Sequence, residues 1–237
     1  MADIVYVLKA REKNEELRYS LRSLANIPHD NVWVVGGCPS WLQNVQHIPT
    51  GRAEHKWASS TTNMKAAIEC SDISDDFIYF NDDFYCLRPL TEIPILHLGL
   101  VADVVKKHWQ PGNTYLHGAL TTKRLLESLG KKPVLSYDVH APMIINKEKM
   151  QEALQVANWS PGTTGFPCFH KRTFYGNYWE LGGEQIVDVK VTQKVKRPER
   201  EVLWNGDFLS SGPACWDGVR RRLHSLFPDP SQYEKTI

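Results

Sequence analysis

Apolar positions along the chain fall into short continuous runs and one helical repeat. Residues 3–8, DIVYVL, are β-branched and aromatic, which predicts a short buried strand. In residues 14–24, NEELRYSLRSL, Leu17, Leu21 and Leu24 recur with helical spacing. They predict a helix with one apolar face, Arg18 and Arg22 on another side, Asn14 as its N-cap, and an end before Pro28. Residues 32–35, VWVV, read as a second buried strand stopped by Gly36-Gly37. Strand, helix and strand within about 30 residues make a βαβ unit, so these two strands should be parallel. A helix follows at 61–70, with Thr61 or Thr62 as cap, and then a strand at 77–80, FIYF. Further helices are expected at 98–108, at 117–129, at 147–157 with Asn146 as cap, and at 216–227. The pattern is that of an α/β fold with a mostly parallel central sheet flanked by helices. Residues 158–185 are rich in Gly, Pro and aromatics, and predict a lid or an acceptor-binding segment.

Composition narrows the classes. The chain has 237 residues, 42% hydrophobic and 23% charged, which excludes wholesale disorder. A net charge of +1 argues against a strongly cationic nucleic-acid binder. Local basic stretches remain at 190–200 and 220–222, the first read as a solvated face in preference to a polyanion site. Eight Trp and nine Tyr suit a concave site that stacks sugars or bases, although core packing explains most aromatics. Five scattered Cys without CxxC spacing argue against a disulfide framework and a zinc site, and for a reducing, cytoplasmic compartment. The opening residues lack a signal pattern, and no apolar run reaches the roughly 18 residues of a transmembrane segment. GxxxxGK[ST], GxGxxG after the first strand, GxSxG and HExxH are all missing, which removes several common enzyme classes.

The sharpest local feature is Asn81-Asp82-Asp83 at the end of the FIYF strand. Parallel sheets place ligands outside the carboxyl ends of their strands. Adjacent carboxylates there need a positive partner, and Mg²⁺ or Mn²⁺ with a bound diphosphate would supply it. A solvated acidic turn reads the same dipeptide equally well. His140, before an apolar run, suits a general base for an acceptor hydroxyl, or else a packed histidine. His170-Lys171-Arg172 suits a phosphate clamp, or else a solvated basic face.

Six segments, in order, resemble the Stealth family of capsular and lysosomal-tagging sugar-phosphate transferases. Residues 11–24, REKNEELRYSLRSL, resemble its RDNDELRYSLRSL, and FIYFNDD at 77–83 resembles its FIYLNDD. VWVVGGCPSWL at 32–42, HAPMIINKEKM at 140–150, CFHKR at 168–172 and LFPDPSQYE at 226–234 are similar to further family elements. The resemblance implies a GT-A-like, Rossmann-like nucleotide-sugar transferase fold forming a single domain over 1–237. Residues 1–90 would be the nucleotide-sugar-binding half and 91–237 the acceptor and catalytic half.

The same resemblance implies site roles. Asp82 and Asp83 would hold Mg²⁺ or Mn²⁺ and diphosphate, with Asp207 of Asn205-Gly206-Asp207 as a further metal ligand. His140, Asp83 and Arg172 would be catalytic. Arg11, Asn14, Arg18, Asn63, Lys65, Asn81 and His170 would surround the donor, with a UDP-sugar as the leading candidate. The sequence departs from the family where Val5-Tyr6-Val7 runs into Leu8-Lys9-Ala10-Arg11, without the usual Thr-Trp-Val-Asp-Gly. The turn after the second strand is Gly36-Gly37 in place of Asp-Gly. The expected activity is metal-dependent transfer of a sugar or sugar-phosphate to a hydroxyl of a glycan or another hydroxylated polymer. Two alternatives stand beside it. One is a viral-type glycosyltransferase acting on hydroxymethylated bases of DNA, reached through 190–200 and 220–222. The other is a non-catalytic nucleotide-sugar-binding module.

Overall fold

The structure, a computed structural model, describes residues 1–9, 11–51, 56–158 and 168–235. Its first half runs β1 (Asp3–Leu8), α1 (Glu15–Ser23), β2 (Val32–Gly36), β3 (Gln46–Ile48), α2 (Lys56–Glu69), β4 (Asp76–Phe80), β5 (Phe84–Cys86), β6 (Leu96–His97), α3 (Val101–His108) and α4 (Thr114–Ser128). It continues with β7 (Met143–Asn146), α5 (Lys147–Ala157), α6 (Lys171–Tyr178), β8 (Glu184–Gln185), β9 (Lys190–Val191), α7 (Arg197–Trp204), β10 (Phe208–Ser211) and α8 (Trp216–Leu226). The central sheet has the order β3-β2-β1-β4-β7. It is parallel throughout except for β7, which runs antiparallel to β4. A second sheet, β5-β10-β9, stands beside it, and β6 pairs with β8.

The βαβ expectation holds: β1 and β2 are parallel, in register from Ile4 opposite Val32 to Leu8 opposite Gly36. Asn14 caps α1 by accepting from the Leu17 amide at 3.2 Å. Leu17, Leu21 and Leu24 lie in the core. The serines of the same helix are buried too. Ser20 accepts from the Tyr6 hydroxyl at 2.8 Å and donates to the Phe84 carbonyl at 2.6 Å. The Cys86 amide donates to Ser23 Oγ at 3.1 Å. Helix α1 is thereby stitched to both sheets. Asn146 caps α5 as expected, accepting from the Lys149 amide at 3.0 Å.

Two expectations are corrected. Helix α2 begins at Lys56, so neither Thr61 nor Thr62 is its cap; Thr61 Oγ1 donates back to the Trp57 carbonyl at 3.2 Å. Residues 159–167 of the expected lid lie outside the described residues, but the rest of that stretch contains α6. From Lys171 to Asn177 that helix is buried on every side, which suits a core element and not a lid. The basic run 190–200 forms β9 and the start of α7. There Lys194, Lys196 and Arg197 are exposed, as a solvated face requires, while Lys190 reaches Asp83 and Arg200 donates to the carbonyls of Val195 and Thr192. In the other basic stretch, Arg222 pairs with Glu201 at 2.7 Å. Among the described residues, no helix is long and apolar enough to cross a membrane.

The end of the chain returns to its beginning. Glu234, with its side chain 2% exposed, accepts from Arg22 Nε at 2.8 Å and from Arg18 at 3.0 Å. It also forms a bridge with Leu42, and Arg18 lies 3.9 Å over the ring of Trp41. Burial alone would raise the Glu234 carboxyl; the hydrogen bonds from Arg22, the Ser231 amide and Arg18 outweigh it and hold the group below the usual 4.5.

A glutamate depressed in the folded state contributes stability that is complete above its unfolded value and is lost as pH falls through the folded one. Urea titrations should therefore show stability declining below about pH 4.5, more steeply in the wild type than in Glu234→Gln. At neutral pH, Glu234→Ala should cost about 3 kcal/mol. That is the low end for a broken buried pair, because both guanidinium groups can turn to water. A variant as stable as the wild type would show that the clamp is incidental.

Candidate functional site

Because β1, β2 and β4 are parallel, their carboxyl ends gather at one edge of the sheet. Strand β2 ends there on Gly36, at φ +109°, where a Cβ would sit 2.2 Å from the Leu8 carbonyl oxygen. Glycine thus lets the two strand ends close together. Strand β4 is buried from Phe77 to Phe80 and delivers Asn81, Asp82 and Asp83 to the same edge. The Tyr79 hydroxyl donates to Asn81 Oδ1 at 2.9 Å, fixing the start of the turn.

Each carboxylate meets a different partner. Asn14, already capping α1, donates through Nδ2 to Asp82 at 2.8 Å. Asp83 receives Lys190 of β9 at 2.9 Å and the Ser210 hydroxyl of β10 at 3.0 Å. Ser210 lies opposite Phe84 in the second sheet, which explains its reach. Glu16 stands close by, accepting from Ser211 at 3.2 Å and pairing with Arg11 at 3.5 Å. Burial and then the charges of Asp82 and Asp83 push the Glu16 carboxyl up. Burial and the Asp83 charge likewise push Asp82 up, against the Asn14 bond. Three acidic groups thus face two cations, Arg11 and Lys190, and the balance leaves room for more positive charge.

His140 sits beside this cluster, its ring 6.5 Å edge-on from that of Phe84, the residue after Asp83. Its Nδ1 lies 2.8 Å from Asp188 Oδ2, and its amide donates to Asp188 Oδ1 at 3.1 Å. Arg172 grips the loop from behind, donating to the carbonyls of Val139 at 2.7 Å and Ala141 at 3.0 Å. Gly176 makes room for this loop: a Cβ there would sit 2.5 Å from the Tyr137 ring.

Several expected residues have other places. His170 is buried, with Nδ1 on the Asp138 carboxylate and Nε2 at 2.9 Å from the Tyr115 carbonyl. Both partners are acceptors, so both ring nitrogens carry protons. Burial opposes that charge, but Asp138 raises the imidazole to about 10. His170 and Arg172 therefore build the loop and have no face left for phosphate, which corrects their expected roles. Lys171, between them, donates to Ser60 Oγ at 2.7 Å, and burial lowers its amine to about 8.

Arg18 belongs to the Glu234 clamp and not to the donor site. Asn63 is buried, donating to the carbonyls of Leu8 and Val35 and accepting from Thr50, so it ties strand ends together. Lys65 is exposed, two residues further on and so on the far side of α2. Asp207 is exposed and immediately precedes β10, while Ser210, three residues later, is the β10 residue that reaches Asp83. Arg11, Asn14, Asn81, Asp82, Asp83 and His140 are brought together. Glu16, Lys190, Ser210 and Asp188 join them without having been expected. A groove of about 530 Å³ lined by Tyr178 and Trp179 lies at the other end of α6 and holds none of these groups.

Among the described residues, no three His, Cys, Asp or Glu side chains gather into a cation cage. Asp82 and Asp83 are the adjacent carboxylates at the carboxyl edge that would hold a hard cation.

No protein-family model matches the chain, and no curated protein matches it either. Solved structures do. A galactosyltransferase LgtC in complex with donor and acceptor sugar analogs aligns over 98% of both chains, at a TM-score of 0.51 and 10% identity. An active-site mutant of LgtC aligns over 98% of both chains, at a TM-score of 0.51 and 12% identity. The fold is accordingly GT-A-like, a mostly parallel central sheet flanked by helices with the carboxylate cluster at its carboxyl edge.

Proposed function

We propose that the chain is a metal-dependent transferase, a compact and divergent relative of the Stealth proteins, that moves a sugar or sugar-phosphate from a nucleotide-sugar to an acceptor hydroxyl. The observation that carries this reading is the Asp82-Asp83 pair at the carboxyl edge of a GT-A-like sheet, with the His140 ring 6.5 Å from that of Phe84, the next residue. LgtC, whose structure holds donor and acceptor sugar analogs, supports the donor class, with a UDP-sugar as first choice.

In this reading Arg11 and Lys190 meet the diphosphate, and Asp82 and Asp83 hold Mg²⁺ or Mn²⁺, which would neutralise its charge. His140 accepts the proton of the acceptor hydroxyl as its oxygen forms the new bond. If that bond is to the anomeric carbon, the bond from carbon to diphosphate breaks and a nucleoside diphosphate leaves. If it is to the β-phosphorus, a nucleoside monophosphate leaves. Arg172, with the buried Asp138–His170 pair, holds the loop that carries His140.

Two outcomes are expected. First, incubation with Mg²⁺ or Mn²⁺, a panel of nucleotide-sugars, and oligosaccharide or hydroxymethylated-DNA acceptors should release a nucleotide that mass spectrometry identifies. The diphosphate marks glycosyl transfer, the monophosphate sugar-phosphate transfer, and chelation abolishes either. Second, Asp83→Asn should lower turnover by about 10²- to 10³-fold, as for a lost transition-state charge contact. His140→Gln should lower it by about 10²- to 10⁴-fold, as for a lost general base. Turnover unaffected by both substitutions would refute the assignment. A wild type that binds nucleotide-sugar in calorimetry but never turns it over would identify a binding module.

A further inference from the structure

We infer that Asp188 is a positioning residue that fixes the His140 ring with its proton on Nδ1 and its Nε2 lone pair toward the acceptor. The direction toward an acceptor rests on the transferase reading; the state of the ring does not.

The geometry has three parts. A carboxylate only accepts hydrogen bonds, so at 2.8 Å from Asp188 Oδ2 the Nδ1 of His140 must be the donor. Asp188 is ionised at neutral pH. Burial would raise its carboxyl, but the His140 hydrogen bond and charge, with Lys190 nearby, bring it below the usual 3.8. The second carboxylate oxygen takes the His140 amide at 3.1 Å. One side chain therefore grips both the ring and the backbone of the same residue, which limits how far the ring can rotate.

The third part is the peptide itself. Arg172 holds the carbonyls on either side of His140, so ring and backbone are fixed from opposite directions. Nε2 has no hydrogen-bond partner among the described residues, and the side chain is 31% exposed. Asp188 lies two residues before Lys190, the first residue of β9. Lys190 ends on Asp83 and Asp188 on His140, so one short stretch spans the base and the carboxylate cluster.

In Asp188→Asn, the amide can turn its NH₂ toward the ring. Nδ1 then becomes the acceptor, and the proton moves to Nε2, where it blocks proton uptake. The same exchange in a buried Ser-His-Asp triad costs about 10⁴-fold in kcat; Asp188 is partly open to water, and about 10²-fold is expected.

The test uses the full chain labelled with ¹⁵N-histidine, with long-range ¹H–¹⁵N spectra and His140→Gln to assign the resonance. In the wild type, neutral His140 should carry its proton on Nδ1, and in Asp188→Asn on Nε2. The variant should lose about 10²-fold in kcat with little change in KM for the donor, and Asp188→Glu should recover part of the loss. A wild-type ring protonated on Nε2 overturns the inference even if the variant fails to fold. So does an Asp188→Asn protein with an unchanged tautomer or an unchanged kcat. If the wild type turns over no donor, the transferase reading falls alone, and the two spectra still decide the role of Asp188.

Discussion

Placing two carboxylates side by side at the end of a buried strand is the constraint around which this molecule is arranged. Taking such groups out of water costs several kcal/mol each unless donors replace the lost hydration. Asp82 and Asp83 take theirs from three separate elements: Asn14 at the start of α1, Lys190 in β9 and Ser210 in β10. Residues far apart in sequence are thereby drawn to one point. The second sheet stands where it does because Phe84 must follow Asp83 directly into pairing with Ser210. The surplus of acidic groups at that point, Glu16 with Asp82 and Asp83 against Arg11 and Lys190, is negative.

Around this centre the six segments that resemble Stealth sort into two physical groups. Arg18, Arg22, Trp41, Leu42 and Glu234 come from three of them and form the clamp that holds α1. Tyr79, Phe84, His140 and Arg172 come from, or directly follow, the other three. The Arg172 guanidinium lies 5.5 Å from the Tyr79 ring and 5.8 Å from that of Phe84 while holding the His140 loop. One group is structural and the other surrounds the site, although the sequence presents them interleaved. Helix α1 joins the two, because Asn14 faces Asp82 while Arg18 and Arg22 face Glu234.

How legible each part was follows from how local its cause is. The strand β1 and helix α1 are written in their own periodicity, and both caps at Asn14 and Asn146 are local hydrogen bonds. Strand β5, three residues long, exists through its pairing with β10 and the serines of α1, which no local pattern announces. Helix α6, with the sequence KRTFYGNY, is buried all round and so has no amphipathic stripe, while its charged residues suggested exposure. The carboxylate pair and His140 stood out by position. Lys190 looked like one more charge in a basic run, and Asp188 lies 48 residues from the histidine it holds. Asp207, just outside β10, is exposed, whereas Ser210 within that strand is buried and meets Asp83.

The Glu234 clamp also governs when the structure can become complete. Arg22 and Glu234 are separated by 212 positions, so nearly the whole chain lies inside the loop that their contact closes. Contacts of such long range are slow to form, because loop entropy is lost before the contact repays it. During synthesis, α1 can pack its leucines early and Arg18 can pair with Glu15 of its own helix at 3.4 Å, but Arg22 waits for Glu234. The helix that carries Asn14 to the carboxylates therefore forms well before the clamp that secures it.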